Sequence, residues 1–195
     1  MTWVMLFAVV SLSCVFEPRQ SEEPDQIGGG SDYQPAQEPE VVVANLTKVI
    51  QGLDSGNYRD LLTEDFGFVP DPEDVQFMDN HYGPGVYLGW NRAVETTVTE
   101  RMFDRINSAR LAFIDTTVAV DTDSVYVVYH GYLLEILPKY GSWTPFEGIA
   151  HFHMRKDPSD NLWYIHRWDD FRLEGASDSE NATWGLLKGE IRATT

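Results

Sequence analysis

The stretch WYIHRWDDF, residues 163–171, concentrates aromatic and charged groups in nine positions. Strict strand alternation puts Trp163, Ile165, Arg167, Asp169 and Phe171 on one side. Tyr164, His166, Trp168 and Asp170 fall on the other. A guanidinium and a carboxylate set among apolar neighbours can orient a ligand, or act as acid and base if their pKa values shift. Arg167 and Asp169 are therefore the candidate ligand-binding pair. Asp169 and Asp170 are adjacent on a strand, so they point to opposite faces and cannot work as one dyad.

A second group comes from WTPFEGIAHFHMRK, residues 143–156. Here Phe146, Ala150, Phe152 and Met154 share one face, and Glu147, Ile149, His151 and His153 the other. A four-residue DPSD loop would set Lys156 against Asn161 and His151 against His166. Three imidazoles could in principle hold zinc. With Ile149, Tyr164 and Trp168 beside them, the pattern fits a homodimer contact better, an aromatic centre with a polar rim. No metal, no cofactor and no catalytic residue is assigned.

These strands need elements to position them. PEVVVANLTKVIQGLDSGN, from Pro39, has apolar residues at helical spacing, with Pro39 in the first turn. YRDLLTEDF, 58–66, reads as a second short helix, and PDPEDVQFMDNHYGPGVYLG as a long polar loop. NRAVETTVTERMFDRI reads as a third helix capped by Asn91, with Val94, Val98, Met102 and Ile106 as its stripe. The period then falls to two. Four long strands follow, joined by turn-forming DTD, PKYGS and DPSD segments that favour antiparallel hairpins. ATWGLLKGEIR gives a short terminal helix. Helices first and strands afterwards imply an α+β fold, with helices on one face of a sheet.

Three stretches carry a family likeness: GNYRDLLTEDFGF, GWNRAVETTVTERMF and DNLWYIHRWDDF. In this order they resemble the nuclear-transport-factor-2-like superfamily, which includes ketosteroid isomerase, scytalone dehydratase and polyketide cyclases. The resemblance implies a curved antiparallel sheet of four long strands plus a short one, wrapped around N-terminal helices to form a cone. It also implies a ligand pocket inside the cone, suited to a small apolar molecule, and dimers through the outer sheet face. The catalytic sets of the superfamily's enzymes find no matching residues here. Tyr129 and Tyr132 lie on opposite strand faces, so only one reaches the cone.

The formal net charge of -17 disfavours nucleic acid and anionic lipid, both of which need clustered Lys and Arg. The one cysteine, Cys14, rules out an internal disulfide and a Cys-based zinc site. It follows the short apolar run WVMLFAVVSL and precedes a Pro, Gly, Ser and Glu-rich stretch. This resembles the lipobox of a bacterial lipoprotein, with Cys14 as the lipid-bearing residue; a plain secretory peptide is the alternative. The expected organisation is a signal peptide over 1–13, a disordered tether over 14–37, the domain over 38–174 and a tail over 175–195. The functional expectation is an envelope-tethered, non-catalytic domain that binds a ligand or partner. The alternative is an isomerase, dehydratase or cyclase with Arg167 and Asp169 in its pocket, and a zinc enzyme is the third reading.

Overall fold

A computed structural model describes residues 33–173 and 182–194. Cys14, the expected leader and most of the expected tether lie outside the described residues. The helices are α1 (Pro39–Gln51), α2 (Ser55–Asp60), α3 (Pro72–Tyr82), α4 (Arg92–Arg105) and α5 (Trp184–Ala193). The strands are β1 (Leu62–Val69), β2 (Ile106–Asp121), β3 (Val125–Pro138), β4 (Thr144–Lys156) and β5 (Trp163–Phe171). They form one sheet in the order β1-β5-β4-β3-β2. The four long strands run antiparallel, as hairpin-type connections require. Short β1 joins β5 in parallel, so the sheet is mixed.

Local chemistry explains the helices. Pro39 opens α1, and Val42, Leu46, Val49 and Ile50 bury its inner face. The Asn91 side chain accepts from the Val94 N–H at 3.1 Å and starts α4. The segment read as a polar loop contains α3. Asp71 caps it by accepting from the Glu73 N–H at 2.8 Å, Pro72 opens it, and Glu73 and Asp74 favour its positive end. Its stripe is thin, with Asp74 and Met78 its buried residues, so hydrophobic periodicity did not reveal it. Residues 58–66 also divide differently: α2 stops at Asp60 and β1 takes over.

The inner face of β4 is Phe146, Gly148, Ala150, Phe152 and Met154, as alternation requires. On β5 the alternation breaks. The turn takes six residues, closed by the Asp157 N–H to the Leu162 carbonyl at 2.8 Å, with Asn161 left-handed at φ 66°. Lys156 therefore faces Trp163, not Asn161. Met154 pairs with Ile165, but His153 pairs with Arg167, so His166 is an extra residue in a bulge. Every side chain beyond it changes face.

This corrects two sequence expectations. Arg167 and Asp169 are not on the cone side; they lie on the outer face, and the Arg167 side chain is 49% exposed. Trp168, expected in an outer dimer contact, is 0% exposed inside the core. Asp170 turns inward with it. The physical cause is burial: the bulge lets the indole join Phe68, Phe152 and Trp184 at centroid distances of 5.9, 5.0 and 4.6 Å.

The terminal helix is present, but it is no appended tail. It packs against α3, α4, β4 and β5 and buries Trp184, Leu187 and Ile191. We expect Trp168→Ala to lower stability by about 3–5 kcal/mol through the cavity it leaves. Arg167→Ala should cost less, about 1 kcal/mol, since its guanidinium is half exposed and buried Asp169 keeps His153 as a partner. Urea unfolding midpoints decide this; the reverse ranking would contradict the bulged register.

Candidate functional site

The concave interior is where the superfamily resemblance implies a ligand pocket. In the structure α5 occupies it. Lys188, 1% exposed, projects from α5 into an aromatic box. Its Nζ lies 3.4 Å from the Trp168 ring centroid, 4.2 Å from Phe68 and 5.2 Å from Trp184. Glu95 of α4, fully buried, supplies the counter-charge with Oε1 at 2.7 Å from Nζ. The rest of the carboxylate is satisfied: Tyr58 donates its hydroxyl proton to Oε1, and the Trp90 indole N–H donates to Oε2 at 2.7 Å. A buried charge needs this much pairing to be tolerated. Burial pulls the Lys188 pKa down, while Glu95 and then Asp170 pull it back up.

The N-terminus of α5 is held by a second polar group. Thr183 caps the helix, accepting from the Leu186 N–H at 2.9 Å and donating to Asp74. Arg172 donates to the other Asp74 oxygen at 2.6 Å. The Gly185 N–H donates to Asp170 Oδ2 at 2.6 Å, and the Trp184 N–H to the Tyr132 oxygen at 2.7 Å. Tyr132 in turn donates to Asp170 Oδ2 at 3.2 Å. A carboxylate at the positive end of a helix is a favourable placement.

Two glycines make this closure fit. A Cβ on Gly148 would stand 2.7 Å from the Tyr132 hydroxyl oxygen, and one on Gly185 would stand 2.8 Å from Asp170 Oδ2.

Burial raises the Asp170 pKa to about 7; Lys188 and the Gly185 and Tyr132 hydrogen bonds oppose it. Its Oδ1 is buried with no hydrogen-bond partner among the described residues. Burial also raises Asp74, against Thr183 and Arg172. An acid near neutrality is what general acid–base catalysis uses. Here, though, Oδ2 is covered by the backbone of α5, so a substrate has no approach with the helix seated.

The outer face assembles different groups. Arg167 donates to Asp169 Oδ1 at 2.6 Å, and His153 Nε2 lies 3.2 Å from Asp169 Oδ2. His151 stacks on Tyr129 at 3.8 Å, and His166 Nδ1 sits 3.4 Å from Asp65. The three histidines thus take separate partners. Among the described residues no group of three or more His, Cys, Asp or Glu could hold a metal ion. His81 and Tyr82, within the segment read as a polar loop, end α3.

Sequence reasoning missed Glu95, Lys188, Asp74 and Asp170 as inner residues. Glu95 lies in the stretch read as the third helix, off its apolar stripe, and drew no role there. For Lys188 the one available signal was its setting in GLLKGEI, where Gly185 and Gly189 mark close helix packing.

No protein-family model matches the chain, and no curated protein matches it. Solved structures do. A scytalone dehydratase candidate from Novosphingobium aromaticivorans matches with TM-score 0.56 and 11% identity over 75% of this chain and 90% of that one. A nuclear-transport-factor-2-like protein of unknown function in nutrient uptake, from Rhodospirillum rubrum, matches with TM-score 0.54 and 12% identity, over 70% and 98%. A candidate calcium/calmodulin-dependent protein kinase II association domain from Xanthomonas campestris gives 0.53 and 16%, over 74% and 98%. These likenesses show the fold: α+β, with N-terminal helices and a five-stranded mixed sheet in the expected cone.

Two outcomes test this site. Lys188→Met leaves Glu95 buried without its cation and should cost about 3–5 kcal/mol, whereas adding Glu95→Gln should recover much of that loss. Equal losses in the single and double variants would contradict the pairing. For Asp170 the folded pKa is raised, so its stabilising contribution is full below 3.8 and lost as pH rises through about 7. Asp170→Asn should flatten the fall in stability between those values, as read from urea melts at stepped pH.

Proposed function

We propose that this nuclear-transport-factor-2-like domain is a non-catalytic interaction module, tethered to a bacterial cell envelope through Cys14. The observation that carries this reading is the filled cone. Where an enzyme of this architecture needs a cavity, this chain has Lys188, Trp184 and the N-terminal turn of α5. An enzyme would keep its acid reachable, and Asp170 is covered.

The partner we propose is a second copy of the chain, docked through the outer sheet face. Ile149, His151, Tyr164 and His166 remain on that face, all half-buried, while Trp168 does not. Tyr129 and Phe171 flank His151, and Leu133 and Ile114 stay exposed nearby. Apolar and aromatic side chains ringed by His153, Arg167 and Glu147 fit a dimer interface. The Xanthomonas neighbour is described as an association domain, which accords with a role in assembly for this fold.

A second reading rests on one observation. Asp170, which accepts from the Tyr132 hydroxyl at 3.2 Å, would be an acid–base pair with it if α5 withdrew. The enzyme alternative, an isomerase, dehydratase or cyclase, then uses these residues and not Arg167 and Asp169.

Sedimentation of the full chain should give a dimer, and Ile149→Asp a monomer with unchanged circular dichroism. A monomeric wild type would contradict the interface. In a bacterial host, Cys14→Ser should move the protein from the membrane to the soluble fraction. Retention at the membrane would contradict the lipid anchor and leave the dimer untouched.

A further inference from the structure

On the other flank of α1 lies a cleft of about 510 Å³ that the filled cone does not account for. Its walls are Val43 and Thr47 of α1, Leu111 and Phe113 of β2, and Tyr126 and Val128 of β3. No α4 or α5 residue lines it, so it is separate from the Lys188 site. The volume and the mainly apolar lining match those of small-molecule sites.

One polar group is left over there. His130 lines the cleft and is 6% exposed. Its Nδ1 is paired with the Thr116 hydroxyl at 2.9 Å. Its Nε2 is buried with no hydrogen-bond partner among the described residues. The ring is otherwise held by Phe113 at 5.1 Å and Phe152 at 6.1 Å. Leaving a buried ring nitrogen unpaired costs free energy, and a bound group that pairs it recovers that cost.

We propose that this cleft binds a neutral apolar alcohol or phenol whose hydroxyl pairs with His130 Nε2. Thr116 can donate to Nδ1 or accept from it, so Nε2 presents either a proton or a lone pair. A hydroxyl answers both, because it donates and accepts. Burial lowers the His130 pKa and keeps the ring uncharged, so it offers an anion no counter-charge. Glu40, which accepts from the Tyr126 hydroxyl at 3.2 Å, adds negative charge at the wall, and the chain as a whole stands at -17. Both disfavour a carboxylate ligand.

The test titrates the full chain with 4-propylphenol, propylbenzene and 4-propylbenzoate, following methyl and imidazole signals by NMR. The phenol should bind about tenfold tighter than propylbenzene, the equivalent of one net hydrogen bond. It should shift the Val43 and Val128 methyls and His130 Nε2, and the benzoate should bind weakest. His130→Phe should reduce the preference to within about twofold of unity, given one hydrogen bond fewer. Should that variant not fold, His130→Met carries the same comparison. Equal affinity for phenol and propylbenzene, shifts that map elsewhere, tighter binding of the benzoate, or a preference that survives loss of His130 would overturn the proposal. So would no binding at all, including a cleft already covered by the chain itself or by a second copy.

Discussion

The pairing of Lys188 with Glu95 inside an apolar core sets the terms for the rest of the structure. Two opposite charges with almost no exposure are tolerated only if both are neutralised and their remaining valences met. Glu95 therefore draws in Tyr58 from α2 and Trp90 from the chain before α4. Lys188 draws in the faces of Phe68, Trp168 and Trp184, whose π-systems attract a desolvated cation. One ion pair thus ties α2, α4, α5, β1 and β5 to a common point.

The same requirement reaches the backbone. To bring Trp168 to the ammonium, β5 must change face at His166, and the bulge does this. The change also carries Asp170 inward, where it receives the first turn of α5. Helix and strand are then complementary: the positive helix end meets a carboxylate, and the helix's cation meets the strand's indole. The architecture that elsewhere encloses a pocket is here completed by its own C-terminal segment. The proposed interaction role rests on this closure, and the proposed ligand cleft lies apart from it, beside His130 on the far flank of α1.

Much of the fold was legible because period-two alternation in β2 to β4 and the capped, striped α4 are local signals. The superfamily likeness came from α4 as well, together with the stretches that form α2 with β1 and β5. α3 was illegible because its stripe reduces to Met78 beside a buried Asp74, held by contacts with Thr183 and Arg172 that no local pattern encodes. The site was less legible still. Arg167 and Asp169 followed correctly from alternation and failed at a single inserted residue, since a bulge is fixed by what Trp168 must reach across the core. Tyr129 and Tyr132 read as lying on opposite strand faces, and of the two it is Tyr132 that reaches the interior, while Tyr129 stacks outside on His151. Lys188 defeated sequence reading because a lysine in a polar-looking terminal helix is ordinarily solvated, and its partner is 93 positions earlier in the chain.

The central claim is that α5 is an integral part of the closed core. Native-state amide hydrogen exchange tests it most directly, because protection reports the free energy of the opening that exposes each amide. The account predicts that the Leu187 to Ile191 amides exchange only with global unfolding, at the same free energy as the β3–β4 core. Exchange of α5 at a much lower free energy, with the sheet still protected, would contradict it and identify the helix as a separable cover over an open cone.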